Sequence, residues 1–458
     1  MDGRVKRILV ESTCSLDTNF TTGIQRVVRS VIAEAESVSR QMGIECVPVV
    51  FRKGRFYDAR KAWQRRIRRQ NRQGQSTLHC FARELDRFAP RAAQFYCSAR
   101  VRVRKLFYPK TLLRTLNDAR WQLGAEPVVP GGTDVLLLLD ETWRLPIWPA
   151  VEQAGANGCR VGAVVYDLIP IDHPQFFESE FVRLFAERTE TLLEHSDFLL
   201  PISETVAGRL KAHMRAVLPQ PQTSQKLVTS FRLGAASTDV PAAGSVCRRV
   251  QSLFNPDSEN PPYLCVGTLE PRKNHEYLLN AFETVWKRTS QVKLCIAGRV
   301  GWKCQAILER IRRDPRFGKS LFLFTDLNDA ELFACYRQAR ALVSCSVDEG
   351  FGLPIVEGLR HGIRVMASDI PVHREIGRES CDYFDLADPT SLAGQVLAME
   401  GPGNSVWKRT PERFTTWREG CEDLLTKTLA MAEGAKAEPT QVMQETDSTR
   451  ARNCMMTA

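Results

Sequence analysis

E-G-F-G-L-P-I-V-E, residues 349–357, sets one carboxylate on each side of a glycine-bracketed turn. Just upstream, A-L-V-S-C-S (341–346) is a short apolar run of buried-strand type. Gly350 and Gly352 permit a sharp turn and a close approach of backbone to ligand. Pro354 suits the first turn of a helix, and Gly362 is placed to end that helix. The stretch therefore predicts strand–turn–helix, with Glu349 at the strand's carboxyl end and Glu357 in the first helical turn. Free N–H groups at a helix start favour anions such as phosphates. Carboxylates beside them accept hydrogen bonds from sugar hydroxyls. One such site holds a diphosphate together with its sugars, whereas an ordinary junction with an acidic rim would show the same turn.

Upstream, G-T-L-E-P-R-K-N (267–274) follows another apolar run, Tyr263–Gly267, and precedes a helical pattern of Leu278, Leu279, Phe282, Val285 and Trp286. Ligands of open α/β sheets bind at the carboxyl ends of strands. Arg272 and Lys273 are there to neutralise a diphosphate, the first as a bidentate fork and the second as a point charge. Further strands are expected at Lys293–Ala297, Leu321–Phe324 and Arg364–Ala367, with a helix from about Asp329. The amino-terminal half shows the same alternation: strands at Arg7–Ser12, Cys46–Phe51, Asp134–Leu139, Arg160–Val165 and Asp197–Ile202, and a helix from about Gly23 capped by Thr22. Continuous apolar runs of this length suit strands of a parallel sheet buried on both faces.

At this point a family resemblance carries weight. V-G-T-L-E-P-R-K-N (266–274), the run from Leu332 to Gly358, and A-S-D-I-P-V-H-R-E-I-G (367–377) resemble retaining GT-B glycosyltransferases of family 4, the group-1 glycosyltransferases, over about 263–390. T-T-G-I-Q-R-V-V-R (21–29) and Y-D-L-I-P-I-D-H-P-Q-F-F (166–177) resemble the first loop and a post-strand loop of bacterial members, mannosyltransferase-like, that build surface polysaccharides. The resemblance implies an α/β GT-B fold, two Rossmann-like doubly wound parallel-sheet domains facing a cleft. It implies transfer of a sugar, with retention, from a nucleotide diphosphate-sugar to a saccharide or lipid-linked acceptor. No metal or other cofactor is implied, and the donor leans towards GDP-mannose.

Residue by residue, Arg272 and Lys273 would contact the donor diphosphate, Glu349 the donor sugar and Glu357 the ribose. Backbone at Gly350, Phe351, Gly352 and Leu353 would approach sugar or phosphate, and Gly23 would admit phosphate or acceptor. Thr268 stands in the donor loop where many relatives have a further Arg. Tyr166 stands where many have His, so Asp167 and His173 become the candidates at the reacting centre; a locally bonded loop histidine is the other reading of His173. Asp140 and Glu141, in L-L-D-E-T-W (138–143), bind acceptor hydroxyls or cap the next helix. Ser203 and Glu204 fit a family stretch and, equally, a helix cap.

The chain has 458 residues, enough for two or three domains, and a soluble globular balance of 43% hydrophobic and 25% charged residues. The expected organisation is an amino-terminal domain 1–235, a linker 236–262, a nucleotide-sugar domain 263–400, a helical segment 401–433 and a disordered tail 434–458. No apolar run approaches the ~20 residues of a spanning helix. The amino terminus has no apolar signal core, so a cytoplasmic location is expected. The 14 cysteines form no C-x2-C pair and sit in apolar runs, as with Cys265, Cys295 and Cys345, which reads as buried reduced thiols.

Net charge is +10, and it is concentrated: residues 52–72 carry ten Lys/Arg against Asp58, and residues 100–120 seven against Asp118. Segment 52–120 reads as an inserted set of basic amphipathic helices, with Trp63 and Ile67 among the arginines. Its expected partner is an anionic surface, the inner face of the plasma membrane. A nicotinamide-linked dehydrogenase is disfavoured, since no G-x-G-x-x-G follows a first strand. A GT-B epimerase or hydrolase remains an alternative. So does a non-catalytic anion- or nucleic-acid-binding module, which would leave the glutamate pair unexplained; no specific nucleic-acid partner is expected.

Overall fold

The computed structural model of the chain describes residues 4–18, 22–73, 121, 125–219, 226–235, 246–401 and 414–434. Expectations for the tail beyond Gly434, for 74–120 and for 236–245 lie outside these residues.

Two α/β sheets organise the molecule. The first contains β1 (Arg7–Glu11), β2 (Glu45–Arg52), β3 (Arg55–Asp58), β4 (Pro127–Val128), β5 (Asp134–Leu138), β6 (Arg160–Val165), β7 (Phe198–Pro201) and β8 (Leu227–Val228), in the order β4-β3-β2-β1-β5-β6-β7-β8. From β2 to β8 the neighbours run parallel, and only β3 and β4 are antiparallel. The second contains β9 (Tyr263–Val266), β10 (Leu294–Ala297), β11 (Leu321–Phe324), β12 (Ala341–Ser344), β13 (Arg364–Ser368) and β14 (Asp382–Phe384), in the order β11-β10-β9-β12-β13-β14, parallel throughout. Strand order reverses between β1 and β5 and between β9 and β12. Ligands of such sheets bind beyond the strand ends at these switch points.

The helices that matter to the site are α1 (Gly23–Gln41), α2 (Arg60–Gln73), α3 (Ser179–His195), α4 (Glu204–Val217), α5 (Arg248–Leu253), α6 (His275–Arg288), α7 (Asp329–Gln338), α8 (Leu353–Arg360), α9 (Pro371–Gly377) and α10 (Trp417–Ala432). α1 starts at a capping box between Thr22 and Gln25 and buries Val27, Val28, Val31 and Ile32 on one face. Each such side chain contributes about 1.5–3 kcal/mol on leaving water.

Two stretches depart from the sequence reading, the basic segment and the linker. The basic segment begins with an ordered hairpin and helix. Lys53 and Gly54 both take positive φ (44° and 82°), which turns β2 back into β3. In α2, Trp63 is buried and donates its indole N–H to Ser12 Oγ at 3.0 Å, so it faces the core and is not a membrane-facing residue. Arg66 donates to the Leu16 and Thr18 carbonyls, and Arg52 pairs with Asp17. In the stretch read as a linker, α5 buries Val250 and Leu253 in the core beneath the second sheet. Finally, α10 returns to the amino-terminal half: Cys421, Leu424, Leu425 and Met431 join the core of the first sheet. Cys265, Cys295 and Cys345 are buried free thiols, as their apolar runs suggested.

Candidate active site

The loop after β9 and the loop after β12 lie on either side of the second switch point, and their charges meet. Pro271–Lys273 form a 3-10 turn that ends at Asn274 in the left-handed conformation (φ 54°), where α6 begins. That turn aims both cations at β12. Arg272 Nη1 lies 2.7 Å from Glu349 Oε2, and Arg272 Nε lies 2.5 Å from Glu270 Oε1. Lys273 Nζ bonds Glu349 Oε1, which also accepts from Ser346 Oγ at 2.7 Å. The Val347 N–H donates to the Arg272 carbonyl at 2.8 Å and ties the two loops together.

Burial alone would push the Glu349 carboxyl up, but the Arg272 and Lys273 charges hold it well below the usual carboxylate range. Glu270, also buried, is pushed up by desolvation, which these cations offset only in part. Both cations therefore sit close to buried acids.

The turn itself does two jobs. Gly352 has φ +94° and caps α8, which places the first amides of that helix beside Glu349. Gly350 faces the other domain: a Cβ there would stand 2.2 Å from the Tyr166 carbonyl oxygen. Its carbonyl accepts from Ser203 Oγ at 2.8 Å, while the same hydroxyl caps α4 by accepting from the Val206 N–H at 3.2 Å. The bare Cα that sequence reading assigned to ligand approach thus makes room for the neighbouring domain. Phe351 and Leu353 pack against the amino-terminal core. Glu357 is the fifth residue of α8, in its second turn and not its first, because the helix starts at Leu353. It is buried, accepts from the Tyr336 hydroxyl at 2.7 Å, and pairs with Arg26 of α1.

From the first sheet come the loops after β1, β5 and β6. Asp167 is half-buried, accepts from the Ile169 N–H at 3.1 Å, and has its carboxyl raised by burial against the opposing field of Arg272. His173 Nε2 stands 3.3 Å from Asp348 Oδ2, and the same carboxylate binds Arg209 of α4. Asp348 links His173 to the cluster, since its carbonyl accepts from Arg272 at 3.2 Å, and Asp167 lies within the field of Arg272. Gly23 opens α1 with nothing within 4 Å of where its Cβ would be, and Arg26 leads from that helix to Glu357. Thr268 is packed differently: its methyl group lies against Gly301 in the loop after β10.

Asp140 accepts from Ser15 N at 2.5 Å and Ser15 Oγ at 2.9 Å, so it holds the loop after β1 in place. Next to it Glu11 is fully buried at the end of β1. Burial and the Asp140 charge push Glu11 up to about 8, and burial pushes Asp140 up to about 6. Glu141 pairs with Arg144 at 2.8 Å. Glu11, Arg26, Arg209, Glu270, Tyr336 and Asp348 were missed by sequence reading. Glu11 had a signal, as the last residue of an apolar run on a parallel sheet; Arg26 lay inside the T-T-G-I-Q-R-V-V-R stretch without being singled out, and Arg209 was a helix-surface arginine with no signal.

With this geometry in hand, residues 252–382 match the family described as glycosyl transferases group 1. The chain is 32% identical over 321 residues to the serotype-specific mannosyltransferase WbdA of Escherichia coli, covering 68% of this chain and 39% of that protein. It is 25% identical over 239 residues to the O-antigen chain mannosyltransferase B of E. coli, covering 52% and 60%. The chain thus spans about two fifths of the length of the first of these relatives. Among solved structures, sucrose-phosphate synthase from Thermosynechococcus elongatus superposes with a TM-score of 0.50 at 12% identity, over 94% of this chain and 95% of that one. The likeness extends the two-domain, Rossmann-like GT-B arrangement across both sheets, and the residues that match the family model include Arg272, Lys273, Glu349 and Glu357.

Proposed function

We propose that the chain is a retaining hexosyltransferase of glycosyltransferase family 4. It takes a sugar from a nucleotide diphosphate-sugar, GDP-mannose first among the candidates, to a saccharide or lipid-linked acceptor in bacterial surface-polysaccharide synthesis. The observation that carries this reading is the buried cluster in which Arg272 and Lys273 meet Glu349 at the start of α8, opposite Asp167 and His173. Breaking an anomeric C–O bond passes through an oxocarbenium-like state. The departing diphosphate gathers negative charge, and fixed cations with helix-start amides stabilise it.

In this reading the diphosphate draws Arg272 and Lys273 from Glu349, whose freed oxygens accept hydroxyls of the donor sugar. Glu357 exchanges Arg26 for the ribose. The amides of Phe351, Gly352 and Leu353 approach the phosphates, with Gly350 shaping the turn, Gly23 admitting the ligand on the facing side and Thr268 lining the donor loop. Asp167 and His173 stand at the reacting centre, and the leaving phosphate assists removal of the acceptor proton. The relatives named as mannosyltransferases support the choice of donor.

The rest of the basic segment supports a second element of the reading, residence at an anionic membrane surface on the cytoplasmic side. Among the described residues no helix is long and apolar enough to cross a membrane. Each Lys or Arg near an anionic surface contributes ~1 kcal/mol. Flotation with acidic liposomes at low and high salt tests it, and indifference to lipid charge counts against it. For the activity itself the deciding measurement is a thermal-shift screen against GDP-, UDP-, dTDP- and ADP-sugars, followed by product analysis with the sugar that stabilises. A protein that none of them stabilises would not be a transferase of this class.

A further inference from the structure

Five large aromatic side chains lie outside every hydrophobic core and still stack on one another. Phe177 is parallel to Phe181 (5.5 Å, 19°), which is stacked on Phe185 (6.1 Å, 27°), and Trp143 stands edge-on to Phe181 and Phe185 (5.4 and 5.6 Å). The fifth, Trp302, belongs to the other sheet's domain, in the loop after β10, and stacks on Phe177 at 5.5 Å. Its indole N–H donates to the Phe176 carbonyl at 3.0 Å, and the next residue, Lys303, donates to the Phe177 carbonyl. Trp302 is 40% exposed and the neighbouring Leu184 39% exposed, and the other four aromatics are half-buried. None of the five enters the clusters that form the cores of either domain. They form a satellite cluster at the contact between the two domains, outside those cores.

The stripe is continuous with the candidate site at both ends. Phe176, next to Phe177, stacks on His173, which contacts Asp348. Trp143 stands two residues from Glu141 at the carboxyl end of β5, with Arg144 over its ring at 4.7 Å. Its charges decide what it fits. α3 and the residue before it carry Glu178, Glu180, Glu187, Glu190 and Glu194 against Arg183 and Arg188, and an anionic lipid surface would be repelled there. Neutral sugars present the complementary chemistry: C–H groups for the electron-rich ring faces and hydroxyls for carboxylates and guanidinium groups.

We propose that Trp302, Phe177, Phe181, Phe185 and Trp143 form a platform for the saccharide chain of the acceptor, laid outward from the reacting centre and completed by Trp302 from the second sheet's domain. This rests on the transferase reading above and adds the place where the acceptor is held. The test is calorimetric titration of the full chain with a mannose oligosaccharide, with free mannose and with phosphatidylglycerol vesicles. The oligosaccharide is expected to bind more tightly than mannose. Trp302→Ala and Phe181→Ala should each weaken it roughly fivefold to tenfold, with folding checked by circular dichroism. Trp302→Phe should restore most of the loss, and stabilisation by the nucleotide-sugar should not change in any variant. Absence of oligosaccharide binding, equal binding by wild type and variants, or binding to vesicles in its place would overturn the platform. Oligosaccharide binding that depends on these rings, in a protein that no nucleotide-sugar stabilises, would keep the platform and remove the transferase reading.

Discussion

At the residue scale, the site is a set of charges that satisfy one another: Arg272 and Lys273 on Glu349, Arg26 on Glu357 and Arg209 on Asp348. Lys273→Ala should lower transfer at least a hundredfold, the loss typical when a fixed donor to developing charge is removed. Arg272 remains on Glu349, so the carboxylate stays paired and the fold is kept. Turnover and the thermal midpoint, measured on one preparation, check both halves, and near-native turnover would remove the diphosphate assignment. Glu11 offers a pH test. Its carboxyl is pushed up to about 8 in the folded protein by burial and by Asp140, against 4.5 for the free group. Between those values the folded state holds a proton that the unfolded chain has released, so the Glu11 contribution to stability falls as pH rises from about 4.5 to 8. Glu11→Gln should match wild type below pH 4.5 and exceed it by a few kcal/mol above pH 8, read from urea unfolding at the two pH values. Equal midpoints at pH 8 would show that Glu11 ionises as an ordinary carboxyl. These charges were legible unequally: Arg272, Lys273 and Glu349 stood out because turn residues bracket them in the chain, whereas Asp348 looked like one more acid beside Glu349.

At the element scale, the turn between β12 and α8 serves as the contact between domains as well as the start of a helix. Gly350 abuts the Tyr166 carbonyl, Ser203 bonds the Gly350 carbonyl, and Arg209 of α4 binds Asp348. Gly350→Ala would put a methyl group where the Tyr166 oxygen stands. Each sheet should stay folded while the domains separate, and a shift of about 1 Å between reacting groups costs on the order of a hundredfold in rate. Small-angle scattering should show a larger radius of gyration together with an unchanged circular dichroism spectrum. A compact, fully active variant would show that the contact is not needed. The order of strands and helices was readable from apolar runs and caps, and most ends fell within two residues of expectation. β3 was hidden because Phe56 and Tyr57 lie among arginines, and a charged neighbourhood masks a short strand that is buried by its partners rather than by its own period.

At the scale of the whole molecule, the chain's last helix completes the first domain. α10 inserts Cys421, Leu424, Leu425 and Met431 into that core, the two leucines and the methionine worth about 1.5–3 kcal/mol each, against a net stability of about 5–15 kcal/mol for an ordinary domain. Ending the chain after Thr416 should therefore leave the amino-terminal domain insoluble or unfolded, while ending it after Gly434 should leave the thermal midpoint unchanged; soluble yield and calorimetry decide. Acid should act through buried histidines. Burial, with Lys273 nearby, lowers His275 to about 4, and burial lowers His373 to about 4, from 6.5 in the free group. The unfolded chain takes up these protons first, so the contribution of these two histidines is complete above pH 6.5 and is lost as pH falls towards 4, opposite in sign to that of Glu11. His275→Gln should therefore gain stability relative to wild type as pH falls from 6.5 to 4, read from unfolding midpoints of the two proteins side by side. What the amino-acid sequence determined alone was local: two α/β units, the glycine-bracketed turn with its acid pair, and the cations of the preceding loop. Periodicity, caps and turn residues act over a few neighbours in the chain, and that is where their information lies. The tertiary structure decided which surfaces meet: Ser203 on Gly350, 147 residues apart, Cys421 against Val31, 390 apart, Arg26 on Glu357, and Trp302 across to Phe177. Nothing local marks such partners, because each is chosen by the shape and charge of a face that exists only after both domains have folded.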